Sequence, residues 1–250
     1  MITTLLALAA AQAADLAAPV TSPEACVALI KTSPAKAIEA AGAWRVSGGG
    51  LSARHCLGLA YAAAERWEPA ATAFESAAAE ADTVKDQRRA DFWAQAGNAW
   101  LAAGDPTRAK RALDSALVAG TASPELRGEV HLDRARAAFA LADLPGARAD
   151  IDQALRLVPA DPFAWLLSSA LALKEEKVAR AQADIAKAKQ LAPNDPDVLL
   201  QAGTVAGISG EVEDARMLYA QAAKAGPDTP AGQAAAAALA QNAGEPETPE

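Results

Sequence analysis

Three positions recur at a fixed step of thirty-four residues: Ala147, Ala181, Ala215; Ala154, Ala188, Ala222; and Pro159, Pro193, Pro227. A bulky apolar residue keeps the same step as Ile151, Ile185 and Tyr219. Strict self-similarity at one period means a stack of one supersecondary unit, because a single unit cannot bury its apolar face without a neighbouring copy. The chain is 52% hydrophobic, mostly through alanine, and only 4% aromatic. Alanine is the best helix former and lets helix axes approach closely, so the repeated unit is read as helical.

The unit from Pro162 to Asp195 shows the plan. Asp161 is placed to cap a helix with Pro162 at its first position, a favoured start. That helix runs to about Leu173, the polar turn Lys174 to Lys177 breaks it, and a second helix runs to about Gln190. Pro193 forbids continuation, and Asp195-Pro196 opens the next unit with the same cap. The unit from Pro196 has Ser209-Gly210 as its turn, and the unit from Gly128 has Leu144-Pro145-Gly146. Upstream, Leu57, Gly58, Tyr61, Ala70, Phe74 and Ala77 form one copy, and Trp93, Gly97, Trp100, Ala109, Leu113 and Ala116 another. Their spacings exceed thirty-four by about one helical turn. The helices beginning near Thr83 and Pro124, which carry Asn98 and Arg136, are therefore expected to be one turn longer. The glycines Gly58, Gly97 and Gly203 are expected to face Ala70, Ala109 and Ala215 so that each pair crosses closely. Phe74, Leu113, Ile151, Ile185 and Tyr219 are expected to fill the seam between units.

The ends of the chain differ from its middle. Residues 1–14 form an apolar stretch ending in Ala11-Gln12-Ala13, which reads as an export signal cleaved after Ala13 or Ala14, although no Lys or Arg precedes it. The competing reading is a frayed first helix. Residues 15–50 read as a leader and a degenerate hairpin, Pro23–Lys31 and Pro34–Trp44, before Gly48-Gly49-Gly50. The stack itself spans 51–229, an alanine-rich covering helix 230–242, and residues 243–250 an acidic, proline-rich tail expected to be disordered. Cys26 and Cys56 are either a disulfide, expected in an exported chain, or two buried thiols. The bond would close a loop worth roughly 3–4 kcal/mol in chain entropy.

The chemistry of the sequence is sparse. A net charge of −8 and a pI near 4.9 argue against a nucleic-acid surface. No apolar run after the N-terminus is long enough to span a bilayer. His55 and His131 lie in no metal-ligand spacing, and His131 sits at a packing position. Ser168-Ser169 lies on a helix, unlike a hydrolase nucleophile, and the glycine run lacks a phosphate loop's lysine. Trp44, Trp67, Trp93, Trp100 and Trp165 fall at core spacing, and Glu175-Glu176 reads as a solvated turn. No catalytic residue, metal site or cofactor is expected.

On these residues the chain resembles the tetratricopeptide-repeat (TPR) family: an aromatic, Leu-Gly and Tyr on the first helix, then Ala, a bulky apolar residue, Ala and a closing Pro. Trp165, Ala181, Ile185, Ala188 and Pro193 match late in the chain, as do Gly203, Ala215, Tyr219, Ala222 and Pro227. His131 and Arg134 depart by replacing the aromatic and the Leu, and Ala138, Ala172 and Ala206 replace the Tyr. The resemblance implies an all-α, right-handed α-solenoid of about five helix pairs with capping helices at both ends. It also implies a concave groove along the first helices that holds a peptide or partner helix. On that basis the groove positions are Asp91, Asn98 and Leu101; Glu129, Leu132, Arg136 and Phe139; Phe163, Leu166, Ala170 and Leu173; and Asp197, Leu200 and Thr204. Asn98 would bond a peptide backbone, Arg136 a carboxylate, and Phe163, Leu166 and Leu173 would form an apolar shelf. The alternative for these positions is ordinary exposure or packing within the stack. The family's Lys-and-Asn clamp for a C-terminal carboxylate is absent. The implied function is a non-enzymatic adaptor for a protein or peptide partner, periplasmic if exported and otherwise cytoplasmic. The other readings are a structural subunit of a larger or homo-oligomeric assembly, and an enzyme or small-ligand binder.

Overall fold

The computed structural model describes residues 19–242, so the expected export signal and acidic tail lie outside the described residues. Thirteen α-helices and no strand occupy the described residues. By its contacts the chain falls into two compact units that divide between Thr121 and Ala122. The first holds α1 (Pro23–Thr32), α2 (Pro34–Val46), α3 (Gly50–Ala63), α4 (Trp67–Val84), α5 (Arg89–Ala102) and α6 (Pro106–Val118). The second holds α7 (Pro124–Ala140), α8 (Leu144–Leu157), α9 (Pro162–Lys174), α10 (Val178–Leu191), α11 (Pro196–Ile208), α12 (Val212–Ala225) and α13 (Pro230–Asn242).

Local chemistry sets the helix starts. Ser22, Ser33, Asp105, Ser123, Asp143, Asp161 and Asp195 each accept a backbone N–H in the first turn of the helix that follows, with proline in that turn. Each such cap satisfies one of the orphan donors of a helix N-terminus. Thr229 does the same for α13, its hydroxyl accepting from Gly232 N–H. One expected turn is displaced: Leu144-Pro145-Gly146 lies inside α8, capped by Asp143, and the chain reverses at Leu141 to Asp143. Proline at the start of a helix is favourable because its missing N–H is unneeded there.

The surplus turns fall partly elsewhere than the spacing suggests. α7 is long, at 17 residues, as expected. α5 has an ordinary 14 residues, and the extra turn belongs instead to α4, which has 18. The alanines of α4 carry it past Ala81 until Lys85 takes a left-handed conformation (φ 54°) and ends it. Asp86 then accepts the Arg88 N–H at 2.8 Å and turns the chain into α5.

The core is built from alanine, with Ala70, Ala77, Ala109, Ala116, Ala147, Ala154, Ala181 and Ala188 fully buried. What lies nearest each of the three glycines is a bulky side chain and not the expected alanine. A Cβ on Gly58 would meet the Phe74 ring at 2.5 Å, one on Gly97 the Leu113 side chain at 2.5 Å, and one on Gly203 the Tyr219 ring at 2.7 Å. Each glycine thus makes room for the bulky residue of its own helix pair, while Tyr219 also packs against the cluster that includes Ala235 of α13. Ile151 and Ile185 do reach the next unit, packing with Leu171 of α9 and with Val205 of α11. At the N-terminal end a disulfide joins Cys26 of α1 to Cys56 of α3, with Cα atoms 6.0 Å apart. Val20, Leu29 and Trp44 pack around it.

Candidate partner-binding faces

In the unit from Ala122, α7 turns Leu132, Ala135 and Ala138 inward and leaves Glu129, Arg136 and Phe139 outward. Positions 129 and 136 are seven residues apart, two helical turns, and so share a face. α9 does the same with Phe163 and Ala170. Between them lies an apolar cleft of about 260 Å³, lined by Arg136, Phe139, Ile151, Leu167, Ala170 and Leu171, among others. Arg136 is exposed at its rim, its Nη1 3.1 Å from Asp133 Oδ1. An apolar side chain fits the floor, and the Arg136 guanidinium offers donors to a carboxylate or carbonyl above it.

The walls of this cleft are pinned by buried charge. His131, where the repeat calls for an aromatic, donates from Nδ1 to Asp150 Oδ1 at 2.8 Å. Arg134, where it calls for leucine, forks onto both oxygens of the same carboxylate at 2.9 and 2.6 Å. Burial alone would raise the Asp150 carboxyl, but the hydrogen bonds from His131 and Arg134 outweigh it and hold it below the usual carboxylate range. A second set ties α8 to α9. Arg148 donates to Ser168 Oγ at 2.8 Å and pairs with Glu175 at 3.1 Å. Burial would raise Glu175 too, and the Arg148 hydrogen bond again wins, lowering it. Glu175 is therefore a buried-side partner of Arg148 and not the solvated turn residue the sequence suggests, while Glu176 beside it is exposed.

The expected groove residues sort by unit. Asp91 and Asn98 are exposed on one face of α5, in the unit ending at Thr121. Glu129, Arg136, Phe163, Leu166 and Leu173 belong to the unit from Ala122. Of these, Leu166 and Leu173 are half-buried against Ala172, Ile185 and Val205, so they serve the core more than a shelf. Leu132 is buried. Ile151, Leu167 and Leu171 are the cleft residues that the repeat reading missed. Their core spacing gives no signal that one side stays open.

The tryptophans largely keep to their core spacing, with Trp44, Trp93 and Trp165 half-buried against core clusters. Only Trp100 is buried, with its indole N–H on Glu75 at 2.8 Å, whereas Trp67 is exposed. Trp93 donates to Asp82 and Trp165 to the Pro159 carbonyl. His55 sits half-buried against the rings of Phe74 and Phe92, its Nε2 2.9 Å from Gln95 Oε1. Burial lowers its pKa and favours the neutral ring. Among the described residues, no group of three His, Cys, Asp or Glu is placed to hold a metal ion, and no helix is long and apolar enough to cross a membrane.

Successive helix pairs, the later ones stepping by thirty-four residues, with Gly58, Gly97 and Gly203 each opposite a bulky side chain of the paired helix, are the features of the tetratricopeptide-repeat fold. The solved structures agree. PilW, a type IV pilus biogenesis factor, superposes with a TM-score of 0.68 at 15% identity, covering 85% of this chain and 95% of its own. PilF of Pseudomonas aeruginosa gives 0.67 at 17% identity, covering 86% and 95%. YrrB, a TPR protein with an unusual peptide-binding site, gives 0.53 at 18% identity, covering 74% and 91%. At these identities the likeness is one of fold. No protein-family model and no curated protein matches the sequence.

Proposed function

We propose that this protein is a non-enzymatic scaffold that holds a segment of a protein partner against the first-helix face of α7 and α9. The observation that carries this reading is the apolar cleft with Arg136 at its rim and the exposed Phe139 on its lining. Large apolar side chains left in solvent beside a cleft are the usual mark of an interaction surface. The TPR fold, which YrrB uses to build a peptide-binding site, supports it. The partner's segment places an apolar side chain over Ile151 and Leu171 and an acceptor on Arg136. The test is site-specific photocrosslinking in the native cells, with benzoylphenylalanine at Ala170 or, as control, at Lys187 on α10. Adducts from position 170 that disappear with Arg136→Glu are expected. Adducts arising only from position 187 would sink the reading.

The setting we propose is the periplasm, from the apolar N-terminus, its small-residue cleavage pattern and the Cys26–Cys56 bond. N-terminal sequencing of the mature chain should begin at Ala14 or Asp15; an intact Met1 from a cytosolic fraction refutes it.

A further inference from the structure

The repeat supplies its own control for a second cleft, on the second helices α10 and α12. One step earlier, between α8 and α10, the corresponding space is filled by charge. Arg148 reaches Ser168 and Glu175; Arg180 reaches Asp152 at 2.7 Å and Asp184 at 3.4 Å; and Ser168 donates to Asp184 at 2.6 Å. Thirty-four residues on, almost every member of that network is replaced. Gln182 stands for Arg148, Ala186 for Asp152, Ala202 for Ser168, Ser209 for Glu175, Asp214 for Arg180 and Leu218 for Asp184. One contact is kept, because Gln182 Nε2 donates to Ser209 Oγ at 3.0 Å just as Arg148 donates to Glu175. Both guanidinium groups are gone, and what remains is an open cleft of about 450 Å³.

Its lining is amphipathic. Ile185, Val205 and Leu218 form an apolar floor, and Met217, 55% exposed, forms one wall. Glu211 and Asp214 stand on the lining as two carboxylates against one cation, Lys189. Among the described residues Asp214 has no ion-pair partner, and Glu211 receives only a long contact from Gln182 at 3.5 Å. A carboxylate thus occupies the position from which, one repeat earlier, an arginine enters the cleft. The chain as a whole carries a net charge of −8, which favours approach of a basic segment.

We propose that this cleft receives an arginine side chain from a partner protein, its guanidinium pairing with Asp214 and Glu211 and its aliphatic neighbours lying on Met217 and Ile185. Arginine suits the site because its planar fork pairs carboxylates while its weakly hydrated stem tolerates an apolar floor. The partner's arginine completes the network that the preceding repeat makes from its own residues. This site is separate from the first-helix cleft, and either can fail without the other.

The probe is the fluorescein-labelled peptide Gly-Ala-Leu-Arg-Leu-Ala-Gly, followed by anisotropy against the full chain at low salt. Replacing its arginine by the neutral isostere citrulline is expected to weaken binding about tenfold, the loss of one charge-assisted pair. Asp214→Asn should do the same. The double variant Ala186→Asp with Asp214→Arg rebuilds the charges of the preceding repeat; it should abolish binding without lowering the melting temperature. Arg136→Glu, in the other cleft, should leave binding intact. The proposal is overturned if the arginine peptide does not bind, if citrulline binds equally, if Asp214→Asn changes nothing, or if Arg136→Glu removes binding.

Discussion

Asp150 and Asp184 lie thirty-four residues apart, each just before the bulky isoleucine of its repeat, and each is buried. At the corresponding places Ala73 and Ala112 stand upstream and Leu218 downstream, so the two carboxylates are a local invention in an apolar pattern. They are tolerated because each has partners: Arg134 and His131 for Asp150, Ser168 and Arg180 for Asp184. Removing one member of a buried pair leaves the other uncompensated, which costs more than the pair contributes. Asp150→Ala is therefore expected to destabilise by about 3–5 kcal/mol in urea unfolding. The carboxyl is held low in the folded state, so its contribution is present above the ordinary carboxylate value of 3.8 and lost as pH falls through the lowered one. His55 acts in the same direction at a higher pH. Its folded pKa lies below the ordinary 6.5, so the unfolded chain binds the proton more readily. Urea midpoints should fall as pH drops below that value, and His55→Gln should flatten this slope; an unchanged slope in the variant would assign it elsewhere. The sequence marks His131 and Arg134 as departures from the repeat. It does not show Asp150 as the reason, because their partner lies 19 and 16 residues away on another helix and depends on the azimuth of each side chain.

Helix boundaries show a related division between what a period encodes and what it leaves open. The surplus between the first two copies is legible as one turn, but the count alone cannot say which helix receives it. Local chemistry decides. Ala77, Ala78, Ala79 and Ala81 propagate α4 at little entropic cost, whereas Asp86 bonds the Arg88 N–H and side chain, favouring a new start there. Those bonds pull the Asp86 carboxyl down to about 2. Between the two stands Lys85 in the left-handed region, where a Cβ is unfavourable and glycine is at ease. Lys85→Gly should therefore stabilise by about 0.5–1 kcal/mol, the left-handed penalty less glycine's entropy. The check is the urea midpoint; a decrease would mean that the lysine stem's packing outweighs its backbone cost. The same logic explains the displaced turn at Leu144, since Pro145, expected within the turn, sits in the first turn of α8, where proline is welcome.

At the scale of the chain, the alanine, glycine and proline positions carry the fold, because each answers to the crossing of two helices and that crossing repeats. The binding faces were less legible. Period assigns residues such as Glu129 and Arg136 to one helix face, but the openness of the cleft beside them depends on which neighbouring volumes go unfilled, a property of several side chains together. Stability should follow the repeat as well. In a stack, each helix pair draws its free energy from itself and its immediate neighbours, so a local perturbation spreads only as far as those contacts. The Cys26–Cys56 bond offers a clean perturbation, since it ties α1 to α3 across 30 residues and lies wholly in the unit ending at Thr121. Its reduction removes a loop constraint worth roughly 3–4 kcal/mol in the chain-entropy account. Amide hydrogen exchange with and without reductant should show α1 to α3 losing protection while α9 to α12 keep theirs. Loss of protection across both units together would mean that the chain unfolds as one cooperative body, and the nearest-neighbour description would have to be abandoned.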